Sequence, residues 1–271
     1  MKKSLLVLSA LLLVALSLCG CQPKVLRLAT TTSTYDSGLL DAILPTFEQE
    51  AGVKVEVLAK GTGEAIALGE KGDVDVVLVH ARAQEDAFVE SGNGIDRRDV
   101  MYNDFLILGP EADPAGIASG NDAVAAFTAI ASQNAIFVSR GDNSGTHSKE
   151  KSIWKAAGEI DKGSGYKEAG LGMADALRMA DELQGYVLTD RATYLALKDS
   201  LQLQPVVEGD SKLFNPYGVI AVNPAVHKGV NYQLATQFIE WLTSPKVQGM
   251  IGDFGQDQYG EALFTPNYQG K

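Results

Sequence analysis

The chain has 271 residues, 45% of them hydrophobic and 21% charged, with a formal net charge of −11. An acidic surface of this kind argues against nucleic acid or an anionic membrane surface as partner. Any anion site must then be local, made by placed dipoles rather than by overall attraction.

The first twenty residues read as an export signal. Lys2 and Lys3 precede an apolar run from Leu5 to Leu18 interrupted only by serines, which is short for a membrane span. Removing the two lysines takes the charge from −11 to −13. The sequence Leu18-Cys19-Gly20-Cys21 resembles the bacterial lipobox, which implies a lipid on Cys21 as the first mature residue. The expected product is a lipoprotein anchored at the membrane and facing the periplasm or cell exterior. Both cysteines fall in this segment, so the exported part has no disulfide and relies on an ordinary packed core. Its remaining length, about 250 residues, suffices for one large domain or two small ones.

From Val25 the text alternates strand and helix. VLRLATT is a strand, SGLLDAILPTFEQEAG a helix ending at Gly52, VKVEVLA a strand, GEAIALGEKG a short helix, and VDVVLVH a buried strand. The order predicts a mostly parallel sheet covered on both faces. Near Tyr102 the register changes, and NDFLILGP reads as a strand. AFTAIASQ (helix), NAIFVSR (strand), SGTHSKEKSIWKAAG and LGMADALRMADELQG (helices), YVLT (strand) and DRATYLALKDS (helix) follow. QLQPVVEG and LFNPYGVIAVNP are extended, and two amphipathic helices separated by Ser244-Pro245 close the chain.

This is an α/β protein with no linker of low complexity and no internal repeat. Strand crossovers near 103–108 and 213–220 predict two lobes: 21–105 and the return segment 214–271 in one, 106–213 in the other, after a signal peptide at 1–20. Such a fold puts its site between the lobes.

Four strand-to-helix junctions carry the functional signal: ATTTSTYDSG (29–38), AKGTGEA (59–65), SRGDNSGTH (139–147) and YVLTDRATY (186–194). A helix N-terminus offers unpaired N–H donors and about half a positive charge. Plain capping by Ser, Thr, Asp or Asn accounts for any one junction. One hydroxyl caps a helix, however, and the run of four at 30–33 exceeds that need; with Asp36 or Ser37 as cap, Thr31, Thr32 and Ser33 stay free for a ligand. Thr62 and Gly63 serve either as anion donors or as a turn. In the third junction Arg140 offers a rigid fork suited to oxyanions, and Ser144, Gly145 and Thr146 follow at the helix start. Arg140 also reads as a salt bridge to Asp142 that orients the guanidinium. In the fourth, Asp190 is the expected cap, Arg191 is solvated, and Thr189 or Tyr194 is placed to reach a ligand. His147 and His80 read as structural, with no neighbours at metal-ligand spacing. Lys149 reads as an uninvolved lysine. A nucleotide P-loop is excluded, because no lysine follows the last glycine of these turns.

Taken in order, TTTS, DVVLVHAR, SRGDNSGTH and YVLTDRATY resemble the tungstate-binding proteins of bacterial ABC-type uptake systems. The resemblance implies a two-lobed fold of the periplasmic-binding-protein type II kind that closes on tungstate, with molybdate the lesser ligand. It implies no enzyme activity and no cofactor, the tungsten being bound as the oxyanion rather than as a metal. The expected partners are the permease subunit of the transporter and, through the lipid, the membrane, with the protein itself a monomer. By motif it points to Thr31 and its neighbours, Arg140, Ser144, Gly145 and Thr146.

Two other readings compete. The spacing Arg-x-Asp-x-Ser-Gly-Thr is also similar to phosphate-binding proteins of the same superfamily, but a protonated phosphate needs a carboxylate acceptor, for which Asp142 and Glu64 are the candidates. GDNSG raises a secreted serine hydrolase with Ser144 as nucleophile and His80 or His147 as base. That reading lacks the G-x-S-x-G elbow.

Overall fold

The structure is a computed structural model that describes residues 24–142, 144–158 and 160–270. The signal segment and Cys21 lie outside the described residues. The chain runs β1 (Lys24–Thr31), α1 (Thr32–Asp36), α2 (Leu39–Ala51), β2 (Val53–Lys60), α3 (Thr62–Lys71), β3 (Val76–Val79), α4 (Arg82–Glu90) and β4 (Gly94–Gly109). It continues with α5 (Ala123–Ser132), β5 (Phe137–Ser139), α6 (Gly145–Ala156), β6 (Tyr166–Glu168), α7 (Met173–Glu182), β7 (Tyr186–Asp190), α8 (Arg191–Leu197) and β8 (Gln204–Val207). It ends with β9 (Phe214–Val222), α9 (Tyr232–Leu242), α10 (Pro245–Asp253), α11 (Gln256–Tyr259) and β10 (Thr265–Pro266).

The strands lie in the order β2-β1-β3-β9-β4-β7-β5-β6, with β8 and β10 also paired to β4. The sheet is mixed, which corrects the expectation of a mostly parallel one. β1 is parallel to β2 and β3, and β5 to β6 and β7, but the central strands β9 and β4 run antiparallel to their neighbours. The reason lies in β4. Up to Asp104 it pairs with β9 in a first sheet, and from Phe105 it pairs with β7 in a second, so one strand serves both. β9 returns from Phe214, opposite Asp104, directly into the first sheet without a crossover helix.

Alternation along the strands gives each sheet two apolar faces. In β3, Val76 and Leu78 pack with α2 and α9, while Val77 and Val79 pack with α3 and Phe88 of α4. In the second sheet Ile107 and Leu188 join Phe127, Phe137 and Trp154 under α5 and α6, and Leu106, Leu108 and Val187 face α7. Helix α2 buries Leu39, Leu40, Ile43, Leu44 and Phe47 as one stripe and stops at Gly52, whose φ of 65° belongs to the left-handed region that glycine enters without strain. No helix among the described residues is long and apolar enough to cross a membrane.

A close approach in β9 gives a test of the first sheet. A Cβ on Gly218 would stand 2.2 Å from Glu85 Oε2 and 2.8 Å from Arg97 Nη2, and these two groups form a buried ion pair. Breaking such a pair costs about 3–5 kcal/mol because a charge is left buried. Gly218→Ala is therefore expected to lower unfolding free energy by about that amount, measured by urea denaturation; an unchanged midpoint would show that the backbone moves aside freely.

Candidate oxyanion site

Strand polarity decides where the junctions meet. β4 leaves the first sheet and enters the second at Asp104–Phe105. β9 starts there and runs away, so its antiparallel neighbour β3, and β1 beside it, end there. In the second sheet β7 runs against β4 and ends at Asp190, opposite Phe105, and β5 ends alongside. The carboxyl ends of parallel strands from both sheets thus point into one gap, the place where open α/β sheets bind ligands.

In the first junction Thr31 is the cap of α1, accepting from Thr34 N at 3.3 Å. Ser37 accepts from Leu39 N, the first residue of α2, at 3.3 Å, in keeping with its expected place there, while the expectation that Thr31 stays free is corrected. A short helix over 32–36 intervenes before α2, and its first turn needs an acceptor of its own. The three candidates therefore differ. Thr31 is buried, with its hydroxyl in contact with Thr34 Oγ1; Thr32 donates to Lys60 O at 3.2 Å; Ser33 is exposed. His80, one residue beyond β3, stands between them, with Nε2 3.1 Å from Thr31 Oγ1 and 3.3 Å from Ser33 Oγ. Its Nδ1 is 3.1 Å from Asn215 Oδ1, and Asn215 donates to Asn103 Oδ1 at 2.8 Å. The Tyr217 ring lies 4.8 Å from the imidazole, and burial pushes its phenol up, against hydrogen bonds to Thr34, Asn103 and Asn215. Neither asparagine nor Tyr217 is marked by any motif. The available signal was register: Thr30 pairs with Leu78, so the residues after β1 and β3 are neighbours.

The third junction joins a charge to a helix start. Ser144 caps α6, accepting from His147 N at 3.2 Å. Arg140 Nη2 is paired with Asp142 Oδ2, and Asp142 Oδ1 accepts from Ser144 N at 3.1 Å. Burial works to raise the Asp142 carboxyl, but the bonds from Ser144 and Arg140 outweigh it and hold it below the usual range. Arg140 Nε is buried and has no hydrogen-bond partner among the described residues. Gly145 and Thr146 open the helix, and a Cβ on Gly145 would stand 3.2 Å from His80 Cε1, which brings the first and third junctions into contact. Thr146 and His147 are buried. The loop is held from behind by Glu150, itself buried. Its carboxylate accepts from Ser139 Oγ at 2.6 Å, Tyr166 OH at 2.8 Å and Trp154 Nε1 at 3.0 Å. With three donors satisfied, the strand end before Arg140 is fixed to the site helix.

The other two junctions contribute less. Thr62 and Gly63 open α3 beside the first junction, since Lys60 pairs with Thr31. In the fourth, Asp190 caps α8 as expected, accepting from Thr193 N at 2.8 Å. Thr189 is buried, with its hydroxyl donated to Asp190 O, and Tyr194 packs into the apolar clusters of both sheets. Arg191 is not solvated, contrary to expectation. It pairs with Asp104 at 2.7 Å, Glu208 at 2.9 Å and Glu261 at 3.1 Å. Lys149 is not idle either, donating to Lys212 O at 3.0 Å and Phe214 O at 2.8 Å, where β9 begins.

The arrangement collects hydroxyls, helix amides and one guanidinium, with Asp142 internally satisfied. Ser144 Oγ is occupied as a cap and His80 Nε2 faces Thr31 and Ser33, so neither stands as a nucleophile with its base. Among the described residues no group of three His, Cys, Asp or Glu could hold a metal ion. Donors around a guanidinium suit an oxyanion.

The chain matches the PBP superfamily domain over residues 22–246. It is 46% identical to the tungstate-binding protein TupA of Peptoclostridium acidaminophilum, covering 98% of this chain and 99% of that protein. Among solved structures, the tungstate-binding protein TupA from Desulfovibrio alaskensis superposes with a TM-score of 0.86 at 48% identity, over 91% of this chain and 100% of that one. The tungstate ABC transporter structure from Geobacter sulfurreducens gives a TM-score of 0.74 at 52% identity, over 85% and 98%. With a matching superfamily domain over most of its length and near-complete alignment at this identity, the chain belongs to the TupA family of the PBP superfamily.

Proposed function

We propose that the protein captures tungstate outside the cytoplasm, with molybdate as the lesser ligand, and delivers it to the permease of an ABC transporter. The observation that carries this reading is the Arg140 guanidinium, with a buried Nε that has no partner among the described residues, set at the N-terminus of α6 where the ends of both sheets meet. The ligand donors in this reading are Thr31, Thr32, Ser33, Thr62, Gly63, Arg140, Ser144, Gly145, Thr146 and Thr189, drawn from both sides of the gap. Of these, Ser33, Arg140 and the start of α6 have the best support in the geometry. Residues 21–105 with 214–271 form one lobe and 106–213 the other. The change of partner within β4 and the start of β9 at Phe214 support these limits. The protein acts as a monomer, held to the membrane by a lipid on Cys21, and performs no hydrolysis.

Phosphate fits less well. Near neutral pH it carries a proton and needs an acceptor, whereas Asp142 is engaged on each oxygen by Arg140 and Ser144, and Glu64, the other candidate, is exposed on α3. A ligand that binds the native state alone raises its stability by mass action. In a thermal-shift panel at equal concentrations, tungstate is expected to give the largest upshift among tungstate, molybdate, sulfate and phosphate. A larger shift with sulfate or phosphate would overturn the ligand assignment.

Arg140→Ala removes a charge-assisted donor to a buried anion, worth about 1.5–3 kcal/mol, or roughly 10- to 150-fold in affinity. Lys155→Ala, on the exposed face of the same helix, is expected to leave the dissociation constant within about twofold. Calorimetric titration of both variants makes the comparison, and similar small effects would place the site elsewhere.

A further inference from the structure

His80 touches both sides of the gap and belongs to none of the motif donors, so its proton positions matter. They follow from the far end of its contact chain. Asn215 gives Nδ2 to Asn103 Oδ1, which turns its own Oδ1 to the imidazole. The ring must therefore donate from Nδ1, and a neutral ring protonated there has only a lone pair at Nε2. Two hydroxyls approach that lone pair, from Thr31 and Ser33. They are not equivalent. Thr31 is buried, and its oxygen accepts from Thr34 N and lies against Thr34 Oγ1; with Thr34 the donor of that contact both Thr31 lone pairs are filled and its proton points to Nε2. Ser33 is exposed.

We infer that His80 is the positioning residue of the oxyanion site: held as the Nδ1–H tautomer by Asn215, it takes the Thr31 proton at Nε2 and leaves the Ser33 O–H to the ligand. This rests on the oxyanion reading given above and deepens it. With Nε2 occupied, the imidazole cannot accept a proton from the ligand. The anion meets donors only, which favours a fully ionised tetrahedral dianion over one that carries a proton. The Gly145 backbone against Cε1 closes the other side of the ring, so the tautomer is set where the two sheets touch.

The arrangement has a pH signature. Burial lowers the His80 pKa; the Asn215 bond and the charge of Asp190 raise it, and the charge of Lys149 lowers it further. Around the ring stand Asp190 at the end of β7, Lys149 on α6 and the buried Tyr217 phenol of β9. For a histidine with a folded pKa below its unfolded value, stability is present above that unfolded value, about 6.5, and is lost as pH falls through the folded one. A bound dianion opposes this loss, because protonation puts a positive charge and a new Nε2–H donor beside it. Tungstate affinity is thus flat from about pH 6.5 to 8.5 and rises as pH falls below that range.

Two measurements on the exported chain test this. Long-range nitrogen–proton NMR of the ligand-free wild type is expected to show His80 protonated at Nδ1; a ring protonated at Nε2 alone overturns the proposal without reference to any ligand. Calorimetry with micromolar tungstate at about pH 5, 6.5 and 8 compares wild type, His80→Gln and His147→Gln. His80→Gln is expected to bind about threefold to tenfold more weakly at the highest pH, the loss of one ordinary hydrogen bond, and to lose the rise on the acid side. His147→Gln keeps the rise. The same acid-side profile in wild type and His80→Gln overturns the proposal. If wild type binds no tungstate, the ligand assignment fails and the tautomer measurement alone decides the positioning role.

Discussion

Strand β4 passes from one sheet to the other without a break, and its direction governs the rest of the molecule. Because it enters the second sheet at Phe105, two of its antiparallel partners are fixed: β9 must begin at the crossing and β7 must end there. Every parallel strand stacked beyond them inherits a polarity, and the turns after β1, β3, β5 and β7 come to one place. Shifting any one strand by a residue would exchange its two faces, which the four apolar clusters forbid. Packing on two faces of each sheet thus determines where the polar turns lie.

An anion site in so acidic a protein has to work at short range. Among the proposed donors Arg140 carries the one full charge, and it is balanced by Asp142, whose second oxygen accepts from Ser144 N. Such a carboxylate orients the guanidinium and uses little of its donor capacity, since the fork has five N–H groups and Nε remains unpartnered among the described residues. The remaining donors are dipoles. They cost no net charge when the site is empty, whereas a second buried cation without its ligand would have to be desolvated unpaired. Buried carboxylates stand further back, where they position rather than repel. Glu150 holds Ser139, Trp154 and Tyr166 behind the loop, and Glu85 is neutralised by Arg97 on the far side of the first sheet.

Long elements with a clear apolar period were legible before any coordinates. Helices α2, α6 and α9 and strands β1, β3 and β7 all carry their period in the text. The elements that escaped have no such period. Helix α1 consists of Thr32-Ser33-Thr34-Tyr35-Asp36 and buries Thr34 alone. Helix α4 is mostly polar and buries Glu85 and Phe88. The first half of β4, rich in Asp and Arg, is held as a strand by pairing to β9 rather than by its own pattern. The site divides in the same way. Arg140 and Ser144 were visible because a charge and a cap at a strand-to-helix turn have a local meaning. His80, Asn103 and Asn215 acquire theirs only from contacts between residues as far apart as 80 and 215, which a reading by neighbours along the chain does not reach.

The two misjudged cations, Lys149 and Arg191, have a feature in common. Each ties a helix of the second sheet to the strand crossing: Lys149 to the carbonyls of Lys212 and Phe214, Arg191 to Asp104 of β4 and, beyond it, to Glu261 of the C-terminal segment. A gap between two sheets that share one strand and a return strand has little to hold its width. The carbonyl contacts of Lys149 begin on α6, the helix that Ser144 caps and Gly145 opens, so that helix is tied to the start of β9. Arg191 acts where β7 ends at the crossing, with bidentate geometry to Asp104 at 2.7 Å on both oxygens, which resists rotation about the strand better than a point charge would. Both cations thus lie outside the proposed donor set and join helices of the second sheet to residues at the strand crossing.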